Sequence, residues 1–101
     1  MRNLDREDLI AELQRLRPQF EGRGVTHMSL FGSRARRDNR PDSDVDLVVD
    51  LDDARRLSML DLVGYHHMVA DNIGLEANVL TRRSLDPEFL QTISEDEVVV
   101  F

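Results

Sequence analysis

Two carboxylates, Asp44 and Asp46, are separated by a single valine and run directly into Leu47-Val48-Val49. If that run is a strand, both side chains project in parallel, with Cβ atoms roughly 6–7 Å apart. Such a pair can share one hard cation or bridge two, and magnesium usually fills the rest of its shell with phosphate oxygens and water. Gly32-Ser33 lies ten residues ahead of Asp44, straight after a second apolar run. Glycine lets backbone approach a ligand closely, and Ser33 can open a short helix whose first amides form an anion site. A phosphate cradle beside a carboxylate pair is what phosphoryl or nucleotidyl transfer needs. Arg34, Arg36, Arg37 and Arg40 occupy the intervening loop. They could hold a triphosphate or neutralise the acidic site, with Arg34 the first candidate, or they could be solvated loop charges. The plainer roles for the other residues are a helix cap for Ser33 and strand-edge charges for the two aspartates.

Several elements must position these groups. Leu9, Ile10, Leu13, Leu16 and Phe20 recur at helical spacing, predicting a helix over roughly 5–17, capped by Asn3 or Asp5 and ended by Pro18. "VTHMSLF" and "DVDLVVDL" read as strands. In the second, Val45, Leu47, Val49 and Leu51 share one face, and Asp44, Asp46, Val48 and Asp50 the other. Asp50, Asp52 and Asp53 are expected to end that strand and cap the next helix. "DDARRLSMLDLVGYHHMVADNIG" reads as that helix, with Met59, Leu62, Val63, Val69, Ala70 and Ile73 as its stripe and Gly74 as its stop. His66 and His67 fall in mid-helix without metal-ligand spacing. "LEANVLT" is a third strand with Ala77 and Val79 on one side and Glu76 and Asn78 on the other. "SLDPEFLQTI" is a short helix with Ser84 as candidate cap, and "VVVF" a last strand-like run. This order predicts an α+β fold: a small mixed sheet, helices on one face, and an open catalytic face carrying the aspartates. Two unpaired carboxylates could not be buried in the core.

The 101 residues carry 20 acidic against 13 basic side chains, a formal charge of −7. That balance argues against direct nucleic-acid binding. It suits a basic partner, or a ligand held through divalent cations. The absence of cysteine excludes disulfides and Cys-ligated zinc. No apolar run nears the roughly 20 residues of a membrane span, and the charged first residues are unlike a secretory signal. The expectation is one cytoplasmic domain over residues 1–101, without membrane association.

Gly32-Ser33, ten residues, then Asp44-Val45-Asp46 resembles the GS-x10-D-x-D motif of the minimal nucleotidyltransferases, in the DNA polymerase β-like superfamily. The likeness extends over nearly the whole chain, from the leading helix through "LFGSRARRD" and "SDVDLVV" to the "LT" strand and the tail. It implies that Asp44 and Asp46 bind Mg2+ and are catalytic, and that Gly32, Ser33 and Arg34 contact ATP. It also implies a third carboxylate on a neighbouring strand, where this chain has Asn78; Glu76, two residues earlier, is the candidate substitute. Members often pair with a HEPN-type RNase toxin as its antitoxin, some by transferring AMP to a toxin tyrosine, so a hetero-oligomer with such a toxin is expected. A binding module without catalysis, and adenylyl transfer to a small hydroxylated compound, are the alternatives. Two other readings of the aspartates fail. A calcium loop needs a turn glycine where Leu47 stands. The haloacid dehalogenase motif needs its apolar strand before the first aspartate, not after.

Overall fold

The computed structural model describes residues 4–101. Helix α1 (Arg6–Arg15) starts where the Asp5 carboxylate accepts from the Asp8 amide at 2.8 Å. Asn3, the other candidate cap, lies outside the described residues. The expected single helix is two, because α2 (Arg17–Gly22) follows after Leu16. Pro18 opens α2 rather than closing α1: in a first helical turn its missing N–H has no intrahelical partner to lose. The break turns Phe20 into the core, where it is fully buried against Tyr65 at 5.9 Å between ring centroids.

Strands β1 (Val25–Phe31), β2 (Val45–Leu51), β3 (Ala77–Thr81) and β4 (Val98–Val99) form one mixed sheet in the order β3-β2-β1-β4. β1 runs antiparallel to β2 and β4, while β3 runs parallel to β2. A parallel neighbour needs a crossover, and α4 (Met59–Ile73) supplies it. Helix α4 starts later than its sequence pattern predicts. Ser58 and Asp61 form a reciprocal capping box, and Gly74 closes the helix with φ 84°. Asp52 does not cap it; its carboxylate accepts from the Ala54 amide at 2.9 Å and turns the loop.

One sheet face is sealed by α1, α2 and α4. Met28, Leu30, Val45, Leu47, Val49, Ala77 and Val79 meet Leu9, Leu13, Tyr65, Val69 and Ile73 there in a continuous core. The buried positions of α4 are Tyr65, Met68, Val69 and Ile73, whereas Met59 and Val63 are exposed. The buried stripe is therefore displaced from the predicted one: the first turns extend beyond the sheet they were expected to cover. Tyr65 is fully buried with its hydroxyl donating to the Arg23 carbonyl at 2.7 Å, which meets the need of a phenol in a core.

The second face is not wholly open. α5 (Pro87–Asp96), capped by Asp86 rather than Ser84, packs across β1 on that side. Phe89 meets Phe31 edge-on at 6.4 Å, and Val48 and Ile93 are buried apart from the main core. Ser84 instead turns the chain after β3, its hydroxyl donating to the Thr81 carbonyl. Val100 is buried beside β1, and Phe101 exchanges backbone hydrogen bonds with Met28, so "VVVF" closes the sheet edge.

Candidate active site

Register fixes what stands beside each aspartate. Asp46 is flanked by Phe31 on β1 and by Asn78 on β3. Directly opposite residues share a face, so Phe31, Asp46 and Asn78 form a row across the sheet. Asp44 lies one pleat earlier, outside the strand and exposed. The Val45 amide donates to the Glu76 carbonyl at 2.8 Å, continuing the β2–β3 pairing to that end.

Gly32 joins β1 to a four-residue helix, α3 (Ser33–Arg36). Its φ of 77° and ψ of −157° belong to a region essentially reserved for glycine. A Cβ there would sit 2.4 Å from the Asp46 Oδ2. The glycine is thus needed twice: for the turn, and so that backbone can lie against the carboxylate. Ser33 follows, half-buried, at the start of α3. Gly32, Ser33, Asp44 and Asp46 therefore meet at one end of the sheet, as the motif predicts.

Asn78 completes that end in a way its sequence position did not disclose. Its Nδ2 donates to Asp46 Oδ1 at 3.0 Å and to Asp44 Oδ2 at 3.4 Å. The amide clamps both carboxylates. Glu76 is exposed, and no three His, Cys, Asp or Glu side chains converge among the described residues. Glu76 precedes β3, level with Asp44 and one pleat before Asn78. Two carboxylates with an amide beside them still fit a hard divalent cation that draws its other ligands from phosphate and water. Asp44 and Asp46 would hold such an ion, with the amide oxygen of Asn78 the remaining protein donor of that row.

Arg34 corrects an expectation. Its side chain is 1% exposed, and its guanidinium donates to the carbonyls of Ser43 at 3.0 Å, Leu4 at 3.2 Å and Pro41 at 3.2 Å. Burial lowers its pKa from the ordinary arginine value, and the charge of Asp44 partly opposes this. It is buried and braces the loop that delivers Asp44. The missed signal is the loop itself: residues 37–44 have no regular structure to satisfy their carbonyls, so a buried fork of donors must. Arg36 binds Asp38 and Asp96, both at 3.0 Å, and these hydrogen bonds raise its pKa. Arg37 pairs with Glu7. Arg40 is exposed, with no side-chain partner among the described residues.

Two clefts lie away from Asp44 and Asp46. One of about 360 Å³ is lined by His27, Asp50, Asp53 and Arg83 at the far end of β2; its neighbour, about 560 Å³, runs under the start of α4. His66 serves the scaffold. Its Nε2 accepts from the Val79 amide at 3.3 Å, covering the outer edge of β3.

This glycine turn set against a carboxylate pair stands on a nucleotidyltransferase fold. Residues 10–101 match the family described as Polymerase beta, Nucleotidyltransferase, and the chain belongs to that family. A Methanocaldococcus jannaschii protein provisionally named a protein adenylyltransferase is 35% identical over 77 residues, 76% of this chain and 81% of its own length. Protein adenylyltransferase MntA of Thermococcus cleftensis is 29% identical over 92 residues, 91% of this chain and 88% of its own. A solved structure provisionally described as a minimal nucleotidyltransferase superposes with a TM-score of 0.81 at 24% identity, covering 97% of this chain and 98% of that one. A complex described as a tri-AMPylated Shewanella oneidensis HEPN toxin with its MNT antitoxin gives 0.68 at 14% identity, over 92% of this chain and 71% of that one. At these identities the structural likeness is one of fold.

Proposed function

We propose that this chain is a nucleotidyltransferase-type antitoxin that binds a HEPN-type RNase toxin and transfers AMP from ATP, with magnesium, to a tyrosine hydroxyl of it. The observation that carries the reading is the close seat of Gly32 against Asp46, beside Asp44. It sets a backbone turn for phosphate next to the pair that would hold the ion. The names of the relatives, protein adenylyltransferase, and the AMPylated toxin in the neighbouring complex support the choice of group and acceptor. In the reaction the tyrosine oxygen bonds to the α-phosphorus and the bond to the β-phosphate breaks. Pyrophosphate leaves, and the hydroxyl proton passes to solvent. Magnesium, when bound, would neutralise the triphosphate and polarise the α-phosphoryl group. Arg34 holds the Asp44 loop in place. The exposed apolar start of α4, with Met59, Leu60 and Val63 at 74%, 82% and 48%, suits a protein partner.

The test is transfer of label from α-labelled ATP to protein in a lysate of the source organism, comparing wild type with the Asp44→Asn, Asp46→Asn double variant. A band labelled by wild type alone is expected and identifies the acceptor. Capture of a partner without any labelled band would leave the second reading, neutralisation by binding alone. That reading draws on Asn78, which brings an amide where a base would otherwise stand.

A further inference from the structure

We infer that Asn78 is a gate for the cation: it keeps the nucleotide-free site closed to metal, so that the ion enters with the nucleotide. This rests on the reading of Asp44 and Asp46 as the ion's ligands. A carboxamide nitrogen has two hydrogens and no lone pair free for a metal. Both of its hydrogen bonds here go to the pair, one to an oxygen of each carboxylate, Asp46 Oδ1 at 3.0 Å and Asp44 Oδ2 at 3.4 Å. The clamp also sets the positive end of the amide dipole between two like charges, offsetting repulsion that would otherwise draw in a cation.

A cation held between those two oxygens must therefore break both hydrogen bonds. For Asn78 to contribute a ligand, its amide must turn by about 180° to present Oδ1. No third His, Cys, Asp or Glu side chain converges there among the described residues to repay this. Triphosphate oxygens can repay it, since they arrive carrying ligands and charge together. Cation and nucleotide binding are thus strongly coupled, and each raises the affinity for the other by the same factor.

The probe is Mn2+, with free ion counted by electron paramagnetic resonance, titrated with and without AMP-PNP. Wild type, Asn78→Ala and Asn78→Asp are compared, with thermal melts confirming that each is folded. Without nucleotide, Asn78→Ala should bind Mn2+ about tenfold more tightly than wild type, since two hydrogen bonds to charged acceptors no longer compete. Asn78→Asp should bind more tightly still. With AMP-PNP present, the gap between wild type and Asn78→Ala should narrow. The alanine variant separates a clamp from a merely missing charge, because it removes the donors and adds no ligand. Unchanged or weaker Mn2+ binding by Asn78→Ala, while wild type binds Mn2+ with AMP-PNP, would overturn the gate and leave the proposed function standing. If no form bound Mn2+ under either condition, the gate and the metal-site reading would both fall.

Discussion

The two faces of β2 do different work within seven residues, Val45–Leu51. On one face Val45, Leu47 and Val49 are fully buried under α1, α2 and α4. On the other, Asp46 and Asp50 stay half-exposed, and only Val48 between them is fully buried. Alternation alone would make the second face uniformly open. The difference lies in α5, which packs across β1 on that side, while Asp46 stays half-exposed. A single strand thus takes its rigidity from one side and offers chemistry on the other. Its carboxylates inherit the precision of a packed core without entering it.

If the two faces are independent, damage to one should spare the other. The largest effect is expected from the Asp44→Asn, Asp46→Asn double variant. Transfer should fall by roughly 10³-fold or more, because the charge that holds the ion is gone. The midpoint of a thermal melt should move by less than about 4 °C, as for other substitutions away from the core. Unfolding of that variant would break the division.

On the sealed face, Leu47→Ala should cost about 2–5 kcal/mol in urea unfolding, through lost transfer energy and the cavity left behind. Nucleotide affinity of the fraction still folded should stay near wild type.

Gly32→Ala should affect both stability and transfer, because Gly32 joins β1 to α3 and lies against Asp46. A Cβ 2.4 Å from Asp46 Oδ2, at a φ of 77°, should cost about 1–3 kcal/mol. The displaced carboxylate should also lower transfer about 10²-fold. Melts and label transfer on one preparation would show whether both losses appear together.

The smallest effect concerns Tyr65. Burial, with the charge of Asp61 adding to it, raises its pKa above the ordinary tyrosine value. The folded chain therefore holds this proton more tightly than the unfolded one. That contribution is complete below about pH 10 and is lost as pH rises through the folded pKa. Tyr65→Phe should cost about 1 kcal/mol near neutrality, from the bond to the Arg23 carbonyl, and should flatten the alkaline decline.

Much of this was legible in advance because β-strand alternation is local. The inward set of β2 and β3 and the outward aspartates follow from period two, and the glycine turn follows from its place between two apolar runs. Helix α4 was less legible. Apolar residues at Met59, Leu60 and Val63 satisfy a helical pattern whether or not a sheet lies beneath them, and here it does not. Pro18 is ambiguous for a similar reason: a proline that ends one helix and one that begins the next look alike until the position of Phe20 is known. Arg34 and Asn78 look like other polar residues in a loop and a strand, and what they hold depends on partners distant in the chain.

Residue order was enough to give the class of this protein. Residue type and spacing within about fifteen positions suffice for a glycine turn, a carboxylate pair and the strand that aims them, since each depends only on backbone period and side-chain chemistry. Tertiary structure alone decided how those groups are held. The parallel register of β3 brings Asn78 onto both aspartates across 32 and 34 residues of chain. The fold also buries Arg34 among carbonyls from Leu4 to Ser43. Hydrogen bonds of a few ångströms depend on which strands become neighbours, and that is settled only when the whole chain packs.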